Sequence, residues 1–185
     1  MDTTENFNLT TRSLHWVIAI SFIALTAVGI YMANTESWAL YPLHKSLGVI
    51  LFLIIVLRVG WRAKQGWPTP MSNHQKIEQV LAKITHWILL LGTLAMPITG
   101  MLYSSMSGHG FGIFGWTLVA GNHDTDKPGQ VIPYSESLST ISEQAHELIG
   151  YTLVIVITLH IAGACKHHFL DKDRTLLRML GKSNK

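Results

Sequence analysis

Four stretches of almost purely apolar residues divide this chain, at 14–33, 43–61, 84–103 and 147–166. Each has close to the roughly 20 residues that a helix needs to cross about 30 Å of hydrocarbon. The composition agrees, since 48% of the residues are hydrophobic and only 14% are charged. The sequence therefore predicts an all-α fold, an integral membrane four-helix bundle surrounded by lipid.

The predicted bundle is a single transmembrane domain that covers residues 1–185. Its helices are expected at about 13–33, 42–62, 82–104 and 143–168. Proline cannot continue a helix without a kink or a break. Pro68 and Pro70 are therefore expected to stop helix two, and Pro97 is expected to kink helix three.

The longest connection is an extracytoplasmic loop over residues 105–142. Its first part, GHGFGIFGWTLVAG at 108–121, contains no Asp, Glu, Lys or Arg and is expected to lie on the membrane surface. The part that follows, NHDTDKPGQ, is predicted to form a polar turn. This loop is the one region large enough to meet an external partner.

Basic residues indicate the orientation of the helices. One side of the predicted membrane carries Arg58, Arg62, Lys64, Lys76, Lys83, Lys166, Lys172, Arg174, Arg178, Lys182 and Lys185. The other side carries only Lys45 and Lys127, against Glu36, Asp124, Asp126, Glu136, Glu143 and Glu147. Lys and Arg accumulate on cytoplasmic flanks, so both termini are predicted to be cytoplasmic. Topology thus explains the basic pI, and no nucleic-acid partner is expected.

The chain has ten histidines, and their positions sort them. His74, His109 and His123 lie in predicted loops, where solvated surface is the ordinary interpretation. His146 and His160 lie 14 residues apart on helix four, nearly four turns or roughly 21 Å, so both rings leave the same face at opposite membrane depths.

Two further histidines lie at the same two depths. His44 begins helix two at the level of His146, and His15 begins helix one at the level of His160. The residue four positions after each of these four histidines is small, and it stacks on the same helical face. These small residues are Ala19, Gly48, Gly150 and Ala164. A flat, wide group could therefore lie beside each imidazole.

A haem is such a group, and two neutral imidazoles from facing helices would fill both axial positions of its iron. Cys165 is the only cysteine, so no C-x-x-C-H attachment of a c-type haem exists. The sequence predicts two b-type haems in a bundle suited to one-electron transfer. Two alternatives stay open, in which the four histidines are hydrogen-bonded packing residues or belong to a proton or zinc pathway.

Arg58 lies 14 residues after His44 and is therefore expected at the inner haem level. An intramembrane arginine is costly unless it is paired, and a haem propionate is a suitable bidentate partner. The alternative is a side chain that extends to the cytoplasmic interface. His86 enters helix three at this same level and could substitute for His15, although Leu90 above it would crowd a porphyrin.

Six motifs resemble the bacterial cytochrome b561 family of di-haem membrane cytochromes, related to hydrogenase and formate dehydrogenase b subunits. They are SLHW (13–16), LHKSLG (43–48), PTP (68–70), HELIGY (146–151), LHIAGACKHHF (159–169) and DKDRTLLRML (171–180). The resemblance implies that His15 and His160 bind the iron of the inner haem and that His44 and His146 bind that of the outer haem. This pairing agrees with the depths.

The resemblance also implies a quinone-linked oxidoreductase of the bacterial inner membrane. Some members are similar to superoxide oxidases, in which superoxide is drawn to an outer basic patch and ubiquinone is reduced near the cytoplasmic face. His167 is then a candidate proton donor to the quinone, because imidazole titrates near neutrality. Its alternative role is that of an interfacial basic residue. Lys45, next to His44, is a candidate for attracting the anion.

The outer face is net acidic, which is unfavourable for steering an anion and suits a cationic or neutral periplasmic redox protein equally well. Three functions therefore remain open. The first is an electron-transfer enzyme between superoxide, or another periplasmic one-electron donor, and the quinone pool. The second is an anchor subunit that passes electrons to or from a partner redox protein. The third is a haem-free transporter of protons or divalent metal.

Overall fold

The computed structural model describes residue 2 and residues 6–66 and 75–181. Four long helices dominate it: α1 (Leu9–Thr35), α2 (Tyr41–Gln65), α3 (Lys76–Met106) and α4 (Glu136–Phe169). A 3₁₀ turn, Trp38–Leu40, precedes α2, and a short helix α5 (Thr175–Leu180) follows α4. Pro68, Pro70, His74, Lys182 and Lys185 lie outside the described residues.

All four long helices are long and apolar enough to cross a membrane. Their ends follow local chemistry. Asn8 caps α1 by accepting a hydrogen bond from the Thr11 N–H at 2.8 Å, and Ser135 caps α4 by accepting one from Leu138. These caps lie outside the apolar stretches. Helix α4 therefore begins seven residues earlier than the sequence predicted, and the connection between α3 and α4 is shorter than the predicted loop 105–142.

That connection holds the main departure from the all-α prediction. Strands β1 (Phe111–Ile113) and β2 (Trp116–Val119) form an antiparallel hairpin, in which Phe111 pairs with Val119 and Ile113 with Trp116. His123 and Val131 extend the pairing as an isolated bridge. Two strands of three and four residues are too short for a clear alternation of apolar and polar residues. The fold is therefore mostly helical with one small hairpin.

Packing of the four helices is uneven. Helix α1 lies against α2, α2 against α3, and α3 most extensively against α4, whereas α4 approaches α1 and α2 far less closely. Helices α3 and α4 interlock through glycines: Gly92 receives the Leu153 side chain and Gly150 receives Met96. A stretch of space is thus left between α4 and the α1–α2 pair. Side chains such as Leu153 reach across this space.

The bundle end that carries the start of α1 also carries the ends of α2 and α4. There Asp2 pairs with Arg62 at 3.3 Å, and the Trp16 indole N–H donates to the Met179 carbonyl at 3.0 Å. The buried Arg178 guanidinium stacks over the Phe7 ring at 4.1 Å. Helix α5 is therefore fastened onto the N-terminal part of α1 and the residues just before it.

Candidate functional site

Two pairs of imidazoles bridge the space between α4 and the α1–α2 pair. His15 of α1 faces His160 of α4, with ring centroids 6.4 Å apart and planes at 69°. His44 of α2 faces His146 of α4, also at 6.4 Å, with planes at 84°. We call these the inner and the outer pair. Helix α4 contributes one ring to each, as the 14-residue spacing of its histidines predicts.

A buried apolar layer separates the two pairs. Phe22 lies seven residues after His15, Leu51 seven after His44, and Leu153 midway between the two histidines of α4. Seven residues are about two helical turns, so these three side chains converge at one level. Together with Ile18 and Ile55 they form the core cluster of the bundle. The two pairs are therefore distinct sites in one stack.

The spacing within each pair fits a shared metal ion. Metal–imidazole bonds of about 2 Å place two opposed nitrogens about 4 Å apart, and each ring centroid lies about 1 Å beyond its nitrogen. The resulting separation, about 6 Å, is close to the observed 6.4 Å of both pairs. In the described part of the chain, no group of three or more His, Cys, Asp or Glu could hold a metal. A haem iron takes only two protein ligands.

The polar atoms of the pairs also fit a haem. The Nδ1 atoms of His15 and His44 are buried and have no hydrogen-bond partner among the described residues. A buried ring nitrogen without a partner is costly unless a bound group supplies one. Beside His44, a Cβ added at Gly48 would meet nothing within 4 Å, so this side of α2 is open. The residues present therefore suit a flat metal complex between α4 and α1–α2.

Residues of α3 and α1 contact the two rings of the outer pair. The His146 Nδ1–H donates to the Met96 carbonyl at 2.9 Å, and this fixes the tautomer that leaves Nε2 as the free metal-binding atom. A Cβ at Gly100 would come within 2.8 Å of the His146 ring, and one at Gly29 within 3.3 Å of the His44 ring. Each outer imidazole therefore rests against a glycine.

Met96, Gly100 and Gly29 were missed by the sequence analysis. The pattern that singled out Gly48 and Gly150 used only residues on the same helix as a histidine. Gly150 in fact accommodates Met96, while the glycines against the rings belong to neighbouring helices. Glycine in the middle of an apolar span is a usable signal, but its partner depends on the tertiary fold.

The inner pair has different neighbours. The His86 ring of α3 lies 5.4 Å from that of His160, closer than His15 does. Arg58 lies within electrostatic range of His15, His86 and His160, at the depth that its spacing from His44 predicts. The inner site thus contains three imidazoles and one guanidinium.

On the outer face, Lys45 is engaged with the hairpin. Its ammonium donates to the Gly110 carbonyl at 3.2 Å. His109 lies nearby, with Nδ1 3.0 Å from the Ser107 hydroxyl. Partial burial lowers the pKa of His109, and the charges of Lys45 and His123 add to this effect. These three basic groups therefore lie on the same side of the bundle as the outer pair.

At the inner end, His167 belongs to an ionic network. Its Nδ1 lies 2.8 Å from Asp171 and 3.6 Å from Asp173. Lys166 joins Asp171 at 3.0 Å to Glu78 of α3 at 2.8 Å. Hydrogen bonds from Lys166 and, to a smaller extent, His167 lower the pKa of Asp171. The His167 ring is thus oriented by carboxylates.

The chain matches a known protein family over most of its length. The model of the family described as prokaryotic cytochrome b561 matches residues 6–182. Cytochrome b561 homolog 2 of Escherichia coli is 31% identical over 99% of this chain and 95% of its own length. Cytochrome b561 homolog 1 of the same organism is 25% identical over 95% and 97%. A probable superoxide oxidase CybB of Yersinia pestis is 25% identical over 91% and 92%.

Proposed function

This chain belongs to the prokaryotic cytochrome b561 family, and from that membership we propose that it passes electrons across the inner membrane between a periplasmic one-electron partner and the quinone pool. Membership implies electron transfer in a membrane and b-type haem. The observation that carries the further detail is the equal 6.4 Å spacing of two imidazole pairs at two depths. We assign one haem to each pair.

The protein's part in this function is to hold the two haems and to keep water out of the space between them. His15 and His160 would bind the inner iron, and His44 and His146 the outer iron. With two imidazoles holding each iron, the bound haems would supply one-electron exchange without binding oxygen. The Phe22, Leu51 and Leu153 layer excludes water between the sites, and Arg58 supplies positive charge for an inner propionate. The basic inner end supports a cytoplasmic location for both termini.

Quinone reduction needs protons, and His167 is our candidate donor at the inner end. The carboxylate of Asp171 fixes the orientation of its ring, as carboxylates do for catalytic histidines. Ubiquinone is the quinone that we expect. Replacing His167 with Gln should slow quinone reduction and leave the spectra of the bound haems unchanged. A loss of haem in that variant would assign His167 a structural role instead.

Superoxide is the leading candidate for the periplasmic donor. One support is the name of the Yersinia pestis relative, a probable superoxide oxidase. Another is the basic group of Lys45, His109 and His123 on the side of the outer pair. The acidic residues of the same face support a cationic redox protein instead, for which the chain would act as a membrane anchor. Co-purification of a haem or copper protein would favour the anchor.

The first test is a pyridine haemochrome assay with reduced-minus-oxidised spectra on the detergent-purified protein. Two b-type haems per chain in six-coordinate, low-spin form would support the proposal. Quinone-dependent consumption of superoxide would then identify the donor. One haem per chain would contradict the assignment of a haem to both pairs. A colourless protein would favour the proton or metal transporter.

A further inference from the structure

The tip of the β1–β2 hairpin exposes large apolar side chains on the extracytoplasmic side. Phe114 is 63% exposed, Trp116 80% and Leu118 55%. The segment 110–121 contains no Asp, Glu, Lys or Arg. Such a patch on a folded surface marks contact with a protein or a membrane.

The turn forces these side chains outward. Phe114 and Gly115 both have positive φ, 45° and 93°, as in the two-residue turn of type I′ that tight hairpins prefer. Positive φ is unfavourable for a bulky residue such as phenylalanine. Here the Phe114 N–H donates to the Ser46 hydroxyl at 3.0 Å, which ties the turn to α2. An aromatic ring is thus held at the tip at some energetic cost.

The contact with Ser46 also sets the depth of the tip. Ser46 lies five residues beyond Tyr41, about 7 Å farther along α2 towards the centre of the bundle. Tyr41 and Trp38 stack with centroids 5.2 Å apart, and such aromatic residues gather at the membrane–water interface. The tip of the hairpin therefore lies on the hydrocarbon side of that aromatic pair.

The other end of the same segment has the opposite chemistry. Beyond the bridge between His123 and Val131, the chain turns through Asp124, Asp126 and Lys127, and the Asp124 carboxylate accepts a hydrogen bond from the Asp126 N–H at 2.8 Å. This polar turn suits water, and the apolar tip suits lipid.

We propose that Phe114, Trp116 and Leu118 insert into the extracytoplasmic leaflet and that the hairpin is a lipid anchor for the outer face. Its base is fixed to the bundle at Gly110, whose carbonyl accepts hydrogen bonds from Lys45 and Ser104. Lys45 and Ser46 directly follow His44. Lipid that holds the tip therefore also steadies the end of α2 that carries an outer imidazole.

The test uses single cysteines in the purified, haem-loaded protein reconstituted into liposomes. The native Cys165 is replaced by Ala, and Leu118→Cys or Trp116→Cys is introduced, with Thr125→Cys in the polar turn as the matched control. The variants with intact haem spectra are treated with a membrane-impermeant charged maleimide. Only a hydrated thiolate reacts, so we expect Leu118→Cys to label at least about tenfold more slowly than Thr125→Cys. Leu118→Cys keeps the Trp116 ring in place.

Equal labelling of the two positions in liposomes would overturn the proposal, because it would leave the tip in water. Slow labelling at Leu118→Cys that becomes fast as the protein is diluted in lipid would also overturn it, since a second copy would then be the partner. We expect slow labelling at Leu118→Cys that does not depend on protein density and that becomes fast once the protein is denatured.

Discussion

The outer and inner imidazole pairs share one spacing and differ in what surrounds them. The outer pair is supported by neutral groups, namely the Met96 carbonyl behind His146 and a glycine against each ring. The inner pair has a third imidazole, that of His86, and the charge of Arg58. Packing and hydrogen bonding thus dominate the outer site, and electrostatics dominate the inner site.

The two environments should tune a bound iron in opposite directions. A carbonyl that accepts the Nδ1–H of His146 makes the imidazole a more basic ligand, which favours the ferric state. A fixed positive charge near the inner iron disfavours that state. The inner haem is therefore expected to have the higher midpoint potential. This order would favour electron flow from the outer pair to the inner pair.

Removing a ligand should have the largest effect on this comparison. His15→Ala is expected to abolish the inner haem and to leave the outer one, so the haem content measured by pyridine haemochrome should halve. His86→Ala is the matched control, because His86 also faces His160, at 5.4 Å. It is expected to retain both haems. If His86→Ala loses a haem and His15→Ala does not, the pairing of the inner site is wrong.

The contrast also separates what the sequence could predict from what it could not. The four spans follow from the lengths of the apolar stretches, and the depth of each histidine follows from helical spacing. The structure brings His15 to His160 and His44 to His146. The Met96 carbonyl and the supporting glycines Gly29 and Gly100 were missed, because they come from neighbouring helices. The hairpin was missed because its strands are too short to show a period.

Gly100→Ala should have the next largest effect, confined to the outer site. The added Cβ would stand 2.8 Å from the His146 ring, which cannot retreat without losing its bond to Met96. Overpacking of this kind costs about 1–3 kcal/mol. We expect weaker retention of one haem during mild thermal unfolding, followed by absorbance.

The matched control for Gly100→Ala is Gly60→Ala, where an added Cβ meets nothing within 4 Å. Alanine is the better helix former by about 1 kcal/mol, so this variant should be slightly stabilised. Gly29→Ala, with its contact at 3.3 Å, should fall between the two. Equal behaviour of all three variants would contradict a supporting role for the outer glycines.

Arg58→Met should change the inner site without removing its haem. Loss of a positive charge stabilises the ferric state, so the inner midpoint potential is expected to fall by several tens of millivolts, about 60 mV for each tenfold change in the equilibrium. Redox titration followed by visible absorbance measures both potentials. Arg58→Lys keeps the charge and should change the potential less. A shift confined to the potential of the outer haem would contradict the assignment of Arg58 to the inner site.

Thr99→Val should have the smallest effect and should act on the outer site alone. The Thr99 hydroxyl lies 2.9 Å from the Met96 carbonyl, 3.1 Å from the Ala95 carbonyl and 3.3 Å from the His146 Nδ1. When it donates to Met96, it shares that acceptor with the His146 ring. Valine has nearly the same shape without the donor, and the carbonyl should then bind the imidazole more strongly. A change of about 0.5 kcal/mol in one hydrogen bond corresponds to roughly 20 mV, with the outer potential lowered. The same titration measures it, with the inner potential as the internal reference. A rise in the outer potential would show that the hydroxyl supports the His146 hydrogen bond and does not compete with it.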